Sequence, residues 1–544
     1  MERKKRYEAA YAGYVYEKPS TNWTATNEVM RRLTKVELSK PGVIAAGGMP
    51  IISDGDSAYI DADDGHTAII AASGMKKSFC CFMPLIRVLA KASENMIISD
   101  PKGELFSHTS GYLHSLGYRV CCADFRTMDK DCFNILRYPA EVYRGGSKER
   151  GLSLLSDITN VLADEQRKNT KDVFWPDTGV LWLNGTGDCM LDAFPRIEQV
   201  NVLNWSNFNV RKSASIVEEH LLPVMPESTA KAALEQCLSS AENTFRSILI
   251  TASSFLSTFN QNPKLAAMLS HNTFTLEDLT APKTALYLVT DDTTSTADKI
   301  LGIIIGQIQS YLIDRAYFSK NGKLDTRVNF VLDEFASLPI PNMDKALATH
   351  RSRNIRYYLC VQSLALLKER YENPEKLLSN CASTLYLGST ELELLKELET
   401  KLGKTNITPD GSEKPLCSQA ELMMLEKAWD HKEAIYLNLS EGIRYCTMLP
   451  SIEAYHIGKT PPPSYSNDPP AVATYSVSEF VADVLNGSVR APFSAEQQKR
   501  TGTKGRRSKK SHSQPPSGSA PTEDTIQEDL IRKFDELFGT FDDE

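Results

Sequence analysis

A short apolar run that ends in two adjacent carboxylates constrains the fold of this chain most. Residues Val328–Leu332 are mostly apolar, and Asp333 and Glu334 follow directly. Such a run is typical of a strand buried on both faces of a parallel sheet. A strand of this kind delivers the residues after it to the edge where ligands bind. Asp333 suits a magnesium shell and Glu334 can orient or deprotonate a water, although a core strand ending in a solvated acidic turn explains the motif equally well.

A partial phosphate-binding loop lies between a predicted strand and a predicted helix. The pattern is Gly-x-x-x-x-Gly-Lys-Ser/Thr, and Lys77 and Ser78 occupy its last two positions. Gly74 supplies a flexible point inside the loop. Ala71 and Lys76 replace the two glycines that let the backbone turn its N–H groups towards phosphate, although the ammonium of Lys76 also attracts phosphate. A strand, turn and helix without a nucleotide is the alternative interpretation.

Strand and helix patterns alternate over residues 66–125, stop, and return after residue 283. The stretch between them shows helical patterns and almost no strand signal. This order predicts an α/β fold, with a parallel-sheet domain interrupted in sequence by an all-α insertion. The predicted divisions are a polar N-terminal extension (1–60), the nucleotide-binding domain in two parts (61–148 and 283–460), the all-α insertion (149–282) and a C-terminal tail (461–544).

The composition changes in the C-terminal tail. Pro461–Pro463 begin a Ser/Pro-rich linker, and a basic cluster over Lys499–Lys510 follows. Residues 523–544 are acidic but carry apolar residues at helical spacing. The tail is predicted to be disordered alone, with an amphipathic helix that forms on a partner. For the basic cluster, DNA contact and a solvated linker are equally good interpretations.

Charge and hydropathy indicate a cytoplasmic protein. The net charge of −8 argues against a surface that coats DNA generally, so any contact with nucleic acid is confined to a channel or loop. The 11 cysteines include no Cys-x-x-Cys pair and are interpreted as reduced thiols. No stretch approaches the ~18 apolar residues of a membrane span, and the basic start Met1–Arg6 lacks the apolar segment of a signal peptide.

Other polar residues follow or precede predicted strands. Asp100 and Lys102 follow a strand, as ligand-binding groups or as ordinary residues of a strand-to-helix turn. Gln362 ends another strand, where it can sense a γ-phosphate or lie on the surface. Arg351 and Arg353 can reach the phosphate of a neighbouring subunit as arginine fingers, although such arginines more often form ion pairs.

Several segments, in a fixed order, resemble the TraG/TraD-type coupling proteins of type IV secretion and conjugation, which are related to FtsK- and HerA-type pumps. The resemblance covers roughly residues 20–455. The matching segments are Asn22–Thr26, Asp100–Leu105, Asp172–Trp175, Asn272–Leu279, Leu332–Ala336, Arg351–Ile355, Gln362–Ser363, Asn380–Cys381 and Leu387–Gly388.

The resemblance implies a RecA-like domain that binds ATP and Mg²⁺ between the subunits of a hexamer. Lys77 maps to a phosphate contact, Ser78 to a Mg²⁺ contact, Asp333 and Glu334 to the Mg²⁺-associated acids, and Gln362 to the sensor. The implied partners are a relaxase–DNA complex, the secretion channel and, because the usual N-terminal membrane helices are missing, a separate membrane anchor. The expected location is cytoplasmic, at the inner face of the plasma membrane.

Three functions are consistent with the sequence. The first is an ATP-driven coupling protein for conjugative DNA transfer. The second is a nucleotide-independent adaptor with the same fold, which the altered loop at Ala71 and Lys76 favours. The third is a cytosolic DNA translocase outside secretion, which the helical insertion and the matching segments disfavour.

Overall fold

The computed structural model describes residues 23–290, 295–405, 414–455, 461–465 and 471–488. The predictions for the N-terminal 22 residues, the basic cluster and the acidic tail lie outside these residues. The strands are β1 Thr34–Glu37, β2 Met49–Ser53, β3 Ser57–Asp61, β4 His66–Ala71, β5 Asn95–Asp100, β6 Arg119–Asp124, β7 Thr284–Val289, β8 Val328–Leu332, β9 Ile355–Val361, β10 Cys381–Gly388, β11 Lys404–Thr405, β12 Lys414–Pro415, β13 His431–Asn438 and β14 Ile443–Pro450.

The α-helices alternate with the strands from β4 to β6 and from β7 to β10, and they dominate the region between β6 and β7. They are α1 Thr26–Arg32, α2 Met83–Lys91, α3 Glu104–Ser115, α4 Arg137–Arg144, α5 Lys148–Asn169, α6 Phe174–Ala193, α7 Val202–Phe208, α8 Arg211–Ile216, α9 Thr229–Leu238, α10 Glu242–Gln261, α11 Pro263–Met268, α12 Ser295–Tyr317, α13 Met343–Thr349, α14 Leu364–Arg370, α15 Pro374–Ser379, α16 Leu392–Leu402, α17 Gln419–Met423 and α18 Val477–Leu485. A π-helical turn, Ser78–Phe82, leads directly into α2.

The central sheet has nine strands in the order β14-β13-β10-β4-β9-β8-β5-β7-β6. The strands from β10 to β6 are all parallel, and β13 and β14 add an antiparallel pair at one side. The apolar runs of the sequence predict strands over Asn95–Asp100 and Arg119–Asp124, and these are the bounds of β5 and β6 in the structure. Because the strands are parallel, their carboxyl ends lie along one edge of the sheet, which is called the carboxyl edge below.

Helices cover both faces of the parallel strands. Successive side chains of a strand point to opposite faces, so Ile69 and Ile98 pack with α2 and α3, whereas Ile70 and Ile97 join the core that contains α12. Burial on both faces explains why these strands are apolar along their whole length in the sequence.

The middle of the chain is helical. Residues 125–283, all of which the structure describes, contain helices and turns but no strand. Two glycines of α6 allow close helix packing, since a Cβ on Gly179 or Gly185 would lie 2.9 Å from Phe255 or Leu234. The predicted fold class, a parallel sheet interrupted by helices, is confirmed, and the boundaries at residues 149 and 282 stay predictions.

The sequence of the N-terminal extension predicts an irregular segment with a helical patch near Asn27–Leu38, and for the described residues 34–61 this prediction is wrong. The helix ends at Arg32, and residues 34–61 form an antiparallel sheet in the order β1-β3-β2. The turn between β2 and β3 is made by Asp54, whose Oδ1 accepts the N–H groups of Asp56 at 3.0 Å and Ser57 at 2.7 Å. These strands are only four or five residues long, so their periodicity gives a weak signal.

Two elements near the C-terminus were not predicted. One is β14, and the other is α18, which follows the segment interpreted as a Ser/Pro-rich linker. The backbone N–H of Tyr475, just before α18, donates to Asn204 Oδ1 at 3.0 Å, and the ring of Phe480 packs against Phe194 of the helical region. This helix was not predicted because the proline-rich residues on its N-terminal side are typical of a continuous linker.

Candidate nucleotide-binding site

Polar groups from four neighbouring strands gather at the carboxyl edge. β4 leads into the loop that ends at Ser78, β9 into Gln362, β8 into Asp333 and Glu334, and β5 ends at Asp100. These four strands are adjacent in the sheet, in the order β4-β9-β8-β5. The sheet topology therefore brings together groups that lie up to 285 residues apart in sequence (77 to 362).

Lys77 is paired with both predicted acids. Its Nζ lies 2.7 Å from Asp333 Oδ1 and 3.4 Å from Glu334 Oε1, and the side chains of Lys77 and Asp333 are 10% and 8% exposed. Gln362 Nε2 donates to the same Glu334 Oε1 at 2.9 Å. Ser99 Oγ donates to the backbone carbonyl of Asp333 at 2.8 Å and fixes the start of the acidic turn. The four predicted groups thus form one connected cluster.

The charges of this cluster depend on one another. Burial by itself lowers the pKa of Lys77, but the carboxylates of Asp333 and Glu334 raise it above its usual value, so the ammonium stays protonated. Burial raises the pKa of Asp333, and the Lys77 charge works against that rise. A phosphate placed here would compete with the two acids for the same ammonium.

Glu334 has an unusual backbone conformation. Its φ and ψ are 56° and 35°, in the left-handed region that side chains other than glycine rarely adopt. Its own N–H donates to Asp333 Oδ1 at 2.9 Å, and Ser337 Oγ donates to its carbonyl at 2.9 Å. Strained residues of this kind cost about 1–3 kcal/mol and cluster at functional sites. The turn aims the Glu334 carboxylate at Gln362 and Lys77.

The loop keeps a glycine-like backbone despite its missing glycines. Lys76 has φ 57° and Gly74 has φ 76°, so Lys76 adopts the left-handed conformation that the pattern expects of glycine. Its Nζ donates to the backbone carbonyl of Trp429 at 2.6 Å, which directs the side chain out of the loop. Ala71 is the last residue of β4, where extended backbone accepts any side chain. The two substitutions therefore leave the backbone turn in place.

The donors present fit a nucleotide with its magnesium ion. The helical turn that starts at Ser78 offers backbone N–H groups without intrahelical partners, which favours anions at that end. The Ser78 hydroxyl and the Asp333 carboxylate are oxygen ligands of the kind that Mg²⁺ prefers. Among the described residues, no cluster of three or more His, Cys, Asp or Glu forms a self-contained metal site.

The comparison with known families decides the identity. Residues 21–429 match the profile of the type IV secretory system conjugative DNA transfer family. The chain belongs to this family. The family that the sequence motifs resembled, and with it a role in conjugative DNA transfer, is thereby confirmed. No curated protein sequence matches the chain significantly.

Solved structures of a conjugative coupling protein share the fold. Bacterial coupling protein TrwB in its trigonal sulphate form is 14% identical, with a TM-score of 0.58 over 84% of this chain and 98% of that one. TrwB with the GTP analogue GDPNP is 16% identical (TM-score 0.55, 84% and 99% covered). TrwB with ADP and Mg²⁺ is 16% identical, with a TM-score of 0.55 over 85% of this chain and 99% of that one. The predicted RecA-like fold class is confirmed by this likeness.

Two further residues of this conjugative transfer protein have structural partners. Asp100 is 2% exposed, and its Oδ2 accepts the backbone N–H of Phe106 at 2.8 Å, near the start of α3. The backbone carbonyl of Lys102 accepts Arg126 Nη1 at 2.9 Å, and a Cβ on the adjacent Gly103 would meet the Arg126 guanidinium at 2.5 Å. Nucleotide contact by Asp100 and Lys102 stays a prediction.

Sequence reasoning missed groups that lie close to this edge. Arg126 follows β6 and holds Asp124 through its Nε and Nη2, at 3.1 and 3.0 Å. The rule that found Asp100, a polar residue at the carboxyl end of a parallel strand or close behind it, also finds Arg126. Asp298 near the start of α12 has its pKa raised to about 6, mainly by burial and further by the charge of Glu334. No sequence pattern pointed to Asp298.

Arg351 and Arg353 lie on the opposite edge of the sheet. Both precede β9, whereas Gln362 follows it, so a strand of seven residues, about 20 Å, separates them from the acids. Arg353 Nη1 donates to the carbonyl of Gly322 at 2.7 Å. These arginines do not serve the site of their own chain, and action on a neighbouring subunit stays a prediction.

The described residues include no helix that is both long and apolar enough to cross a membrane. This finding concerns helices within the described ranges, and attachment to a membrane through partners stays a prediction.

Replacing Asp100 by Asn is expected to stabilise the protein at pH 8. Burial, with a further contribution from Asp333, raises the pKa of Asp100 to about 6, although the Phe106 N–H lowers it. A carboxyl whose folded pKa exceeds its unfolded value of about 3.9 loses stability as pH rises from about 4 to 6, here roughly 2–3 kcal/mol. Asparagine keeps the acceptor for Phe106. Urea unfolding at pH 8 and pH 4 measures the gain, which should vanish at pH 4.

Asp124→Asn is the matched control, with the opposite sign. Burial alone would raise the pKa of Asp124, but hydrogen bonds from Arg126 and Lys130 lower it to about 2. This variant should therefore lose stability at pH 8, and the loss should shrink as pH falls from about 4 towards 2. Equal effects of the two substitutions at pH 8 would contradict the assignment.

Proposed function

We propose that this family member is an ATP-driven coupling protein, which binds ATP with Mg²⁺ at the carboxyl edge and uses hydrolysis to move a DNA substrate towards the secretion channel. The observation that carries the proposal is the cluster of Lys77, Asp333, Glu334 and Gln362. All four are joined by contacts of 2.7–3.4 Å at the end of the loop.

In this proposal each group of the cluster has a role in binding or hydrolysis. The Lys77 ammonium, now shared by two carboxylates, would move to the phosphates. Ser78 and Asp333 would hold the magnesium ion, which when bound neutralises charge on the phosphates. The Glu334 carboxylate can take a proton from an attacking water, and Gln362 fixes that carboxylate through its amide.

The backbone of the loop argues against the nucleotide-independent adaptor. That alternative rested on the glycines lost at positions 71 and 76. Lys76 nevertheless adopts the left-handed conformation, and its side chain is held outside by the carbonyl of Trp429. The shape that glycine would provide is therefore kept, at the strain cost of a side chain with φ 57°.

Nucleotides bound to the structural relatives support the same function. The solved TrwB structures include complexes with the ATP analogue ADPNP and with ADP and Mg²⁺. We transfer ATP and Mg²⁺ to this chain because its own residues supply Lys, Ser and acid groups at the carboxyl edge of its sheet. The shared fold alone does not justify the transfer of ATP and Mg²⁺ to this chain, since proteins of many unrelated functions share one fold.

The family membership suggests the partners. We propose a relaxase bound to single- or double-stranded DNA as substrate, channel components of a type IV secretion system, and a separate membrane anchor that holds the protein at the inner face of the plasma membrane. A homo-oligomer, expected to be a hexamer, would place Arg351 or Arg353 of one subunit near the site of the next. The exposed position of Arg351 before β9 is compatible with this role.

ATP binding in the presence of Mg²⁺ tests the proposal. Wild-type protein is expected to bind ATP, and Lys77→Ala should weaken binding by about tenfold or more, because a charge-assisted hydrogen bond to phosphate contributes roughly 1.5–3 kcal/mol. Isothermal titration calorimetry gives both affinities. Lys368→Ala, which removes a surface ammonium paired with Glu393, is the matched control and should bind like wild type.

The outcomes separate the functions. ATP binding that depends on Lys77 supports the ATP-driven coupling protein. If the assembled wild-type protein binds no ATP with or without DNA, the nucleotide-independent adaptor becomes the better-supported function. Hydrolysis stimulated by DNA, without binding to any secretion component, would instead identify a translocase outside secretion.

A further inference from the structure

A hydrogen-bonded hairpin lies beside the loop, and no sequence motif pointed to it. We call residues 426–433 the Glu426 hairpin. Its two arms are joined by Glu433 N–H to the Glu426 carbonyl at 2.9 Å and by Ala428 N–H to the His431 carbonyl at 3.1 Å. The Glu426 N–H also donates to Glu433 Oε2 at 2.9 Å. Lys432, 1% exposed, fixes the base by donating to the carbonyls of Leu425 and Glu426.

The tip of the Glu426 hairpin touches the loop. Lys76 Nζ donates to the Trp429 carbonyl at 2.6 Å, and Lys427 Nζ lies 3.9 Å from the place where a Cβ on Gly74 would stand. The Trp429 side chain is 82% exposed, which is unusual for a large aromatic group on a segment fixed by so many hydrogen bonds. The tip therefore presents a bare indole ring beside the candidate phosphate site.

The strand order shows on which side of the loop the hairpin lies relative to the two acids. β8 and β9, which carry Glu334 and Gln362, lie on one side of β4, and β10 and β13 lie on the other side. The Glu426 hairpin enters β13 at the carboxyl edge, because β13 runs antiparallel to β10. The terminal phosphate must lie near Glu334 for hydrolysis. A triphosphate that crosses the loop from there carries its base to the side of the hairpin.

We propose that the Trp429 ring is a stacking platform for the base of the bound nucleotide, with Lys76 tying that platform to the phosphate loop. The proposal rests on the proposed binding of ATP. Aromatic rings bind bases through their π faces, and a stacked base loses affinity by roughly 5- to 150-fold when the ring is removed. Lys76 then has a function that glycine lacks, because only the lysine side chain can donate the hydrogen bond that holds the Trp429 backbone beside the loop.

The test compares ATP with inorganic tripolyphosphate, which has the phosphates but no base. Trp429→Ala is expected to weaken MgATP binding by about tenfold and to leave tripolyphosphate binding unchanged. Trp429→Phe should keep most of the ATP affinity. Phe318→Ala is the matched control, because Phe318 is also 82% exposed and follows the far end of α12. Titration calorimetry of the full chain measures the affinities of wild type and of the three variants for both compounds.

Each outcome decides the proposal. A loss confined to ATP and rescued by Phe supports stacking. Unchanged ATP binding, equal losses for ATP and tripolyphosphate, or an altered oligomeric state in Trp429→Ala overturns it and leaves ATP binding itself intact. Failure of the wild type to bind either compound overturns the proposed function, and the platform with it.

Discussion

Glu334→Gln is expected to lower ATP turnover by about 10²–10⁴-fold while ATP still binds. The range is that of a group that transfers a proton in the transition state. Glutamine keeps the size of the side chain and its bond with Gln362, but its amide cannot accept a proton from water. Steady-state hydrolysis measures the loss, and calorimetry with MgATP measures binding.

The structure explains why the effect should be confined to turnover. Glu334 is the less buried of the two acids, with 29% of its side chain exposed, and Lys77 keeps its shorter contact with Asp333. The substitution therefore leaves the phosphate contact and the magnesium ligand in place. Glu393→Gln, a surface acid paired with Lys368, is the control and should hydrolyse ATP at the wild-type rate. Unchanged turnover in Glu334→Gln would remove this residue from the catalytic group.

Local sequence patterns predicted the parts of the site that depend on the parallel sheet. Apolar runs identified β5, β6 and β8, and polar residues directly after such runs identified Asp100, Asp333 and Glu334. A parallel sheet aligns the ends of its strands, so these residues converge without any knowledge of strand order. The same logic led to Gln362 after β9, which the structure places within hydrogen-bond distance of Glu334.

Other parts depend on contacts that no local pattern encodes. Lys76 and the carbonyl of Trp429 meet across 353 residues, and the left-handed turn at Glu334 is imposed by its surroundings rather than by its residue type. The glycine rule for phosphate loops suggested that Lys76 damages the turn. It did so because the rule states which residue adopts a positive φ most easily, and another residue can adopt it when distant contacts hold it there.

Lys77→Ala is expected to destabilise the nucleotide-free protein by roughly 3–5 kcal/mol at pH 8. This is the usual cost of removing one partner from a buried ion pair, because the other charge is left without compensation. Asp333 is 8% exposed on its side chain, and its Oδ1 would keep only the Glu334 N–H among its two observed partners. Urea unfolding followed by circular dichroism measures the loss. The slope of the free energy of unfolding against urea concentration should match that of wild type.

A variant without either charge separates the ion pair from simple packing. Lys77→Met with Asp333→Asn removes both charges and keeps similar volumes, so most of the stability should return, as it does when buried pairs are replaced together. The pH dependence gives a second check. Without Lys77 the folded pKa of Asp333 rises further, and protonation as pH falls from 8 to 5 should recover part of the loss in Lys77→Ala. A loss that is independent of pH and equal in the double variant would show that Lys77 stabilises the fold through its methylene groups, and the charge arrangement derived for the site would be wrong.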